Sequence, residues 1–209
     1  MISTFEMSDL GILHYFRGLE VKQVKEGIFV SQKNYAKGLL KRLNMYQCKK
    51  TLTPMNTNEK MQMDDGSGDA NVKLYRSLIG WLNYLIHTRP DITFSVGMVL
   101  RYMSRPTQHH LGVAKRILRY VYGTLDYGLC YECVSNFKLF GYFDSDWAGS
   151  IEDRSSTSGN VFHLGSGVVT WSSKKQHITT LSTIEVEYVA ATTAACQAIW
   201  LRRLLSDMG

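Results

Sequence analysis

The spacing of apolar residues changes once along this chain, near residue 126, and that change does most to limit the fold. Between about 73 and 122 apolar residues recur every three or four positions, as in Leu78, Leu82, Leu85 and Ile86. This is the spacing of helices with one buried face. Pro90 and Pro106 interrupt the stretch, because proline lacks a backbone N–H and clashes with the turn before it. Three helices are predicted, at about 73–87, 91–103 and 108–122. After 126 the runs LDYGLCYE, FKLFGYFDSD, NVFHLGSGVVTW and QHITTL are short, strand-like and separated by Gly or Ser. A last helix is expected at about 183–207. Helices followed by strands and a closing helix give an α+β class.

The remaining segments complete the division. Residues 11–31 read as two strands around a Lys25-Glu26-Gly27 turn. Residues 33–45 carry Tyr35, Leu39, Leu40 and Leu43 at helical spacing with lysines between. Residues 51–72 are polar, hold Pro54 and DDGSGD, and form the best linker. The expected parts are thus 1–50, a linker at 51–72, a helical region at 73–125, and 126–209.

Composition removes several classes. Hydrophobic content of 44% argues against disorder. No apolar run approaches the ~20 residues that span a bilayer. The start, MISTFEMSDLG, lacks the basic-then-apolar pattern of a secretory leader, which suggests an intracellular protein. Cys130 and Cys133 are spaced CxxC, but no second ligand pair accompanies them, so ordinary thiols are expected. Charge is uneven. Residues 1–125 hold 18 Lys/Arg against 9 Asp/Glu, while residues 126–209 hold 6 against 9. The basic part could meet a polyanion such as nucleic acid; a solvated basic surface accounts for it as well.

The acidic residues near the strand-to-helix region need sorting. Ser182-Thr183-Ile184-Glu185 is a capping-box pattern, which gives Glu185 a structural task. Glu187 lies about 100° round the helix from Val186, at the edge of the apolar stripe. There it could face the end of the strand that delivers Asp144. A strand carboxylate and a first-turn helix carboxylate can share a divalent cation, and Mg²⁺ favours few carboxylates plus waters and phosphates. Paired acids are common, so spacing alone favours a turn aspartate and a solvated glutamate.

Specific motifs go further. GYFDSDWAG, DRSSTSGNVFHLG, VTWSSKKQ, LSTIEVEYVAA and AIWLRRLL resemble, in order, the ribonuclease H domain of copia-type LTR retrotransposons. FEMSDLGILHYFRGLEV resembles the end of the reverse transcriptase palm of the same Pol polyprotein. NYAKGLLKRLNM resembles its thumb, and the run from TPM to AKRILRYVYGT its connection region. The resemblance implies an RNA-directed DNA polymerase with ribonuclease H activity on RNA–DNA hybrids. It implies a thumb/connection-like helical region before a truncated ribonuclease H-like mixed sheet with one packed helix. It also implies an Asp-Glu-Asp-Asp set with two Mg²⁺, in which Asp144 and Glu187 match the first two acids and Asp146 is an auxiliary ligand or loop-fixing residue. The other two acids, and the polymerase aspartates, fall outside the motifs seen here. The chain alone is therefore expected to cut no hybrid. The implied partners are a hybrid or other nucleic acid and the rest of Pol, with no membrane.

Several basic and hydroxyl side chains are candidates for phosphate contact. Ser172, Ser173, Lys174 and Lys175 are read as a polar turn between strands, Arg154 as part of a loop, and Lys115, Arg116 and Arg119 as a helix edge. An exposed hairpin turn explains 172–175 equally, hydroxyls capping the loop backbone are the other reading of the Arg154 loop, and a solvated helix face is the more frequent explanation of Lys115, Arg116 and Arg119. His109-His110 looks like a helix start, and the four tryptophans like core. Arg116-Ile117-Leu118-Arg119 spells RxLR, the host-entry motif of oomycete effectors. A non-catalytic retroelement-derived nucleic-acid- or protein-binding polypeptide, recruited as an effector, is the alternative reading.

Overall fold

The structure is a computed structural model that describes residues 12–57, 59–133 and 137–208. Residues 1–11, which carry the leader argument and the start of the palm-like segment, lie outside these. Helix takes up 40% and strand 22%, with two separate antiparallel sheets and no closed barrel, so the class is α+β.

The first sheet runs β1 (Tyr15–Phe16), β2 (Leu19–Val24), β3 (Gly27–Ser31) and β4 (Leu129–Glu132), in that spatial order. The segment read as one strand, ILHYFRGLEVKQV, folds back at Arg17-Gly18. Both residues have positive φ, 47° and 82°, as a two-residue hairpin turn requires. Arginine is a poor signal for such a turn. The 129–132 strand was assigned to the C-terminal part, but it pairs with β3, Val30 opposite Leu129. Gly27 permits this, because a Cβ there would overlap the Tyr131 carbonyl.

Helices α1 (Lys33–Arg42), α2 (Val72–Leu85), α3 (Thr93–Leu100) and α4 (Gln108–Gly123) follow, with a 3₁₀ turn at Pro90–Ile92. Asn71 starts α2 by accepting the Leu74 N–H at 3.0 Å. Thr107 and His110 start α4 in a reciprocal cap. His109-His110 is thus a helix start, with His110 Nδ1 accepting the Thr107 N–H. One core contains Leu40, Leu78, Leu82, Val96, Ile117 and Leu118. Met55, Met61 and Ala70 are buried in the same core, and the Tyr102 hydroxyl donates to the Met61 carbonyl at 2.9 Å. The described residues of the 51–72 segment lie almost wholly outside helix and strand, yet the segment is packed down. Polar composition signalled a linker; three apolar anchors decide its behaviour.

The second sheet is β5 (Leu139–Ser145), β6 (Thr157–Leu164) and β7 (Gly167–Lys175), in chain order and antiparallel throughout. A parallel pair would need a crossover connection; each strand here simply doubles back on the last, so the expected mixed sheet is not what the described strands form. Helix α5 (Thr183–Met208) lies across β5 and β6. The core between them is small: Phe162, Ala194 and Leu201 are buried, with Leu139 and Ala198 against them. Trp147 and Trp200 are not core, at 47% and 54% exposed. β7 rests on α3, and the Trp171 indole N–H donates to the Ile86 carbonyl at 3.1 Å. All four cysteines are free. Among the described residues no helix is long and apolar enough to cross a membrane.

Candidate functional site

Alternation along β5 decides where its acids point. Gly141 pairs with Phe162, and Phe162 is buried against α5, so that parity faces the helix. Asp144, one step out of phase and opposite Gly159, belongs to the other face. Its carboxylate is exposed and accepts its neighbour Ser145's N–H at 2.8 Å. Asp144 lines a cleft of about 390 Å³ between the second sheet and Phe94 of α3, together with Tyr142 and Trp171.

The two glutamates of α5 separate. The Ser182 hydroxyl accepts the Glu185 N–H at 3.3 Å, and Glu185 Oε2 accepts the Leu181 N–H at 2.8 Å. This is the anticipated cap, with the return bond landing one residue earlier than in the standard box. Glu187 is exposed, and among the described residues it makes no hydrogen bond or ion pair. It lies one helical turn before Ala191, which lines the groove between α5 and Phe143 of β5. Asp144 has the parity that faces away from α5, and Glu187 is not part of the cleft that Asp144 lines.

Asp146 is a loop clasp. Its N–H donates to the Thr157 carbonyl at 3.0 Å, and its carboxylate accepts the Thr157 N–H. A Cβ on Gly149 would meet Asp146 Oδ2, so a larger residue there would displace the Asp146 carboxylate. Ala148 donates its N–H to the Ser156 hydroxyl at 3.0 Å. Arg101 at the end of α3 donates to the Thr157 hydroxyl at 2.8 Å. Burial lowers the Arg101 guanidinium, and Asp146 and Asp153 offset this in part. Asp153 is held well below the usual carboxylate range by Lys175, then by Ser150 and Ser155.

The surface candidates fare unevenly. Residues 172–175 are not a turn: they form the last half of β7, and the hairpin turn sits at Gly165-Ser166. Ser172 donates to Asn160 Oδ1 at 3.1 Å, and Lys175 is paired with Asp153. Ser173 is half-buried and Lys174 exposed. Arg154 is exposed over the Trp147 ring at 5.9 Å. Arg116 donates to the Thr53 hydroxyl at 3.0 Å, which removes it from a free basic edge; Lys115 and Arg119 are exposed. Ile117 and Leu118 are fully buried in the core. The RxLR letters are therefore one turn of an amphipathic helix, whose leucine no receptor can reach without unfolding α4.

One group escaped sequence reasoning. Lys41 sits over the Tyr46 ring and Lys50 over the Tyr122 ring, each at 5.5 Å, and the two rings meet edge to face at 5.7 Å. The signal available was the row Lys33, Lys37, Lys41 at i, i+4, i+8 on α1. Its partner Tyr122 is 76 positions from Tyr46 and had no visible link to it.

Asp144 and Glu187 offer hard oxygen donors of the kind Mg²⁺ takes. Among the described residues no group of three or more His, Cys, Asp or Glu is placed to hold a metal ion. The donor chemistry fits; the described residues by themselves do not enclose an ion.

Sequence comparison then places the chain. It is 38% identical over 205 residues to the retrovirus-related Pol polyprotein from transposon RE2 of Arabidopsis thaliana, covering 98% of this chain and 14% of that protein. It is 38% identical over 201 residues to an uncharacterized mitochondrial protein of Arabidopsis thaliana, covering 95% of this chain and 82% of that protein. The chain belongs to the copia-type retrovirus-related Pol polyprotein family. It corresponds to an internal segment, about one-seventh of the length of the RE2 polyprotein. It is also 44% identical over 128 residues to the secreted RxLR effector protein 161 of Plasmopara viticola, covering 61% of this chain and 90% of that protein. No family model and no solved structure matches it.

Proposed function

We propose that this Pol segment supplies two carboxylates of a ribonuclease H centre, Asp144 and Glu187, and part of the surface along which an RNA–DNA hybrid lies. The division of work on α5 carries the reading. Glu185 is committed to the cap, whereas the Glu187 side chain, two residues on, is exposed and, among the described residues, unengaged. Asp144 and Glu187 would hold Mg²⁺, with waters and phosphate oxygens completing its octahedron. When bound, the metal supplies charge that stabilises the oxygens exchanged at a phosphodiester. Asp146 holds the loop after β5, so that Asp144 leaves the sheet at a fixed point. The reading places the segment inside the cell, with the rest of Pol as its partner.

In the full polyprotein, Asp144→Asn is expected to abolish degradation of the RNA strand while DNA synthesis continues. Unchanged RNA degradation would refute the assignment. The segment alone is expected to leave a hybrid intact; metal-dependent cleavage lost in Asp144→Asn would overturn that expectation.

A second reading, nucleic-acid binding without catalysis, draws on the Lys41–Tyr46–Tyr122–Lys50 group. Two ammonium groups beside rings, one exposed (Tyr46) and one half-buried (Tyr122), suit a phosphate backbone with an unpaired base. The two readings are compatible, since one surface can hold what the other site cuts.

A further inference from the structure

We infer that the cleft between α3 and the second sheet binds an organic cation rich in N–H donors: a primary ammonium or guanidinium group on an aliphatic stem. The cleft holds about 390 Å³, enough for such a group with its stem. Its only charged lining side chains are Asp144 and Asp146, in a chain of net charge +6. Asp146 accepts the Thr157 N–H and lies beside the Arg101 guanidinium, whereas Asp144 accepts only the N–H of its neighbour Ser145, so Asp144 is the less compensated anion.

Four aromatic residues line the cleft; Phe143 has the parity that faces α5, and the other three come from three elements: Phe94 of α3, Tyr142 of β5 and Trp171 of β7. Tyr142 meets Phe140 and His163 edge-on, and among the described residues none of the three cleft rings stacks on another. The Trp171 N–H is already bonded to Ile86, which leaves its π-face as the open surface. Thr93 of α3 and Ser173 of β7 add hydroxyl-bearing residues to the lining.

An anion and unpaired ring faces describe one kind of ligand. Ammonium brings three N–H donors and guanidinium five, neither has an acceptor, and both are attracted to ring faces. A phosphate would meet the Asp144 charge. A nucleobase could stack, but its own acceptor atoms would face the carboxylate. The inference goes beyond the metal reading, although both use Asp144.

The test is titration of the full chain, followed at the Trp171 indole resonance and by calorimetry. The probes are spermidine, Nα-acetyl-lysine methylamide and Nα-acetyl-arginine methylamide. Nα-acetyl-norleucine methylamide serves as the uncharged stem and guanosine as the base. Saturable binding of a cationic probe, absent with norleucine, supports the inference. Spermidine alone would indicate a free polyamine, and the amino-acid amides a protein side chain. Asp144→Asn should abolish binding. Phe94→Leu, at a half-exposed position that keeps its apolar bulk, should weaken it about fivefold. Mg²⁺ can compete at Asp144 but not through Phe94, so the Phe94→Leu difference tests this inference separately from the metal site. Equal binding of norleucine, binding of guanosine alone, no response to any cation, or unchanged affinity in Phe94→Leu would overturn it.

Discussion

Replacing Glu185 and Glu187 one at a time should split stability from chemistry. Glu185→Ala removes the bond from its carboxylate to the Leu181 N–H, 2.8 Å in length. Leu181 is 86% exposed, so water replaces the lost acceptor. The Ser182–Glu185 bond survives, because it uses the backbone N–H of residue 185. The cost is therefore at the low end for a helix cap, about 0.5–1 kcal/mol. For a domain of the size of the second sheet with α5, that is a fall in melting temperature of about 3–6 °C. Glu187→Gln removes an exposed side chain with no partner, so stability should stay within about 0.5 kcal/mol. The assays are thermal unfolding of the segment, read by helix ellipticity, and RNA-strand degradation by the full polyprotein well below its melting temperature. Glu185→Ala should melt early and still degrade RNA; Glu187→Gln should melt normally and not degrade it. The opposite pattern, or loss of activity in both at full folding, would refute the assignment of roles.

Three further outcomes follow from the packing and charge. Among the described residues the core shared by the second sheet and α5 is small, with few buried apolar side chains, and β5 is an edge strand, so limited proteolysis should remove 137–208 before it cuts 33–125; simultaneous loss of both would contradict two separate cores. Lys41→Ala with Lys50→Ala should weaken hybrid binding and reduce the salt dependence, log K against log salt, by about 2, while an unchanged slope would clear this group of any phosphate contact. Burial works to raise the Asp65 carboxyl, but hydrogen bonds from Ser67 and Thr107 and the charge of His109 outweigh it and hold the group well below its usual range. A depressed folded value gives stability that is present above about pH 3.9 and lost as pH falls through the folded value, so Asp65→Asn should flatten acid denaturation, and an unaltered acid limb would show that the 51–72 segment does not depend on it.

The helices were readable because each combines a 3.6-residue apolar stripe with a local stop: Pro90 after α2, Pro106 before α4, and Thr107 at its cap. The sheets were readable as strands but not as partners. Nothing local in LCYE says that its mate is GIFVS, about a hundred residues away; only Gly27, which admits the Tyr131 carbonyl, marks the approach, and a glycine in a hairpin has a simpler explanation. The 51–72 segment misled because its polar majority hides Met55, Met61 and Ala70, and three well-placed apolar side chains suffice to anchor a chain to a core. Residues 172–175 misled in the same way: a run of polar residues looks like a turn until its strand partners are known.

The candidate acids show the same limit at closer range. Local sequence distinguishes Glu185 from Glu187, because a capping box is written in four consecutive residues. It does not say which side of a sheet an aspartate faces, since parity depends on where α5 docks. The Gly141–Phe162 pair fixes that, and it puts Asp144 on the face away from the helix. A shared ion must therefore sit round the end of β5 and not between sheet and helix. β5 is an edge strand, so the route round it is open to solvent, and both carboxylates are exposed. Two exposed carboxylates screened by water attract a divalent cation weakly. Phosphate oxygens of a bound hybrid would then be needed to complete the coordination, and on this geometry metal affinity should rise when the hybrid is present.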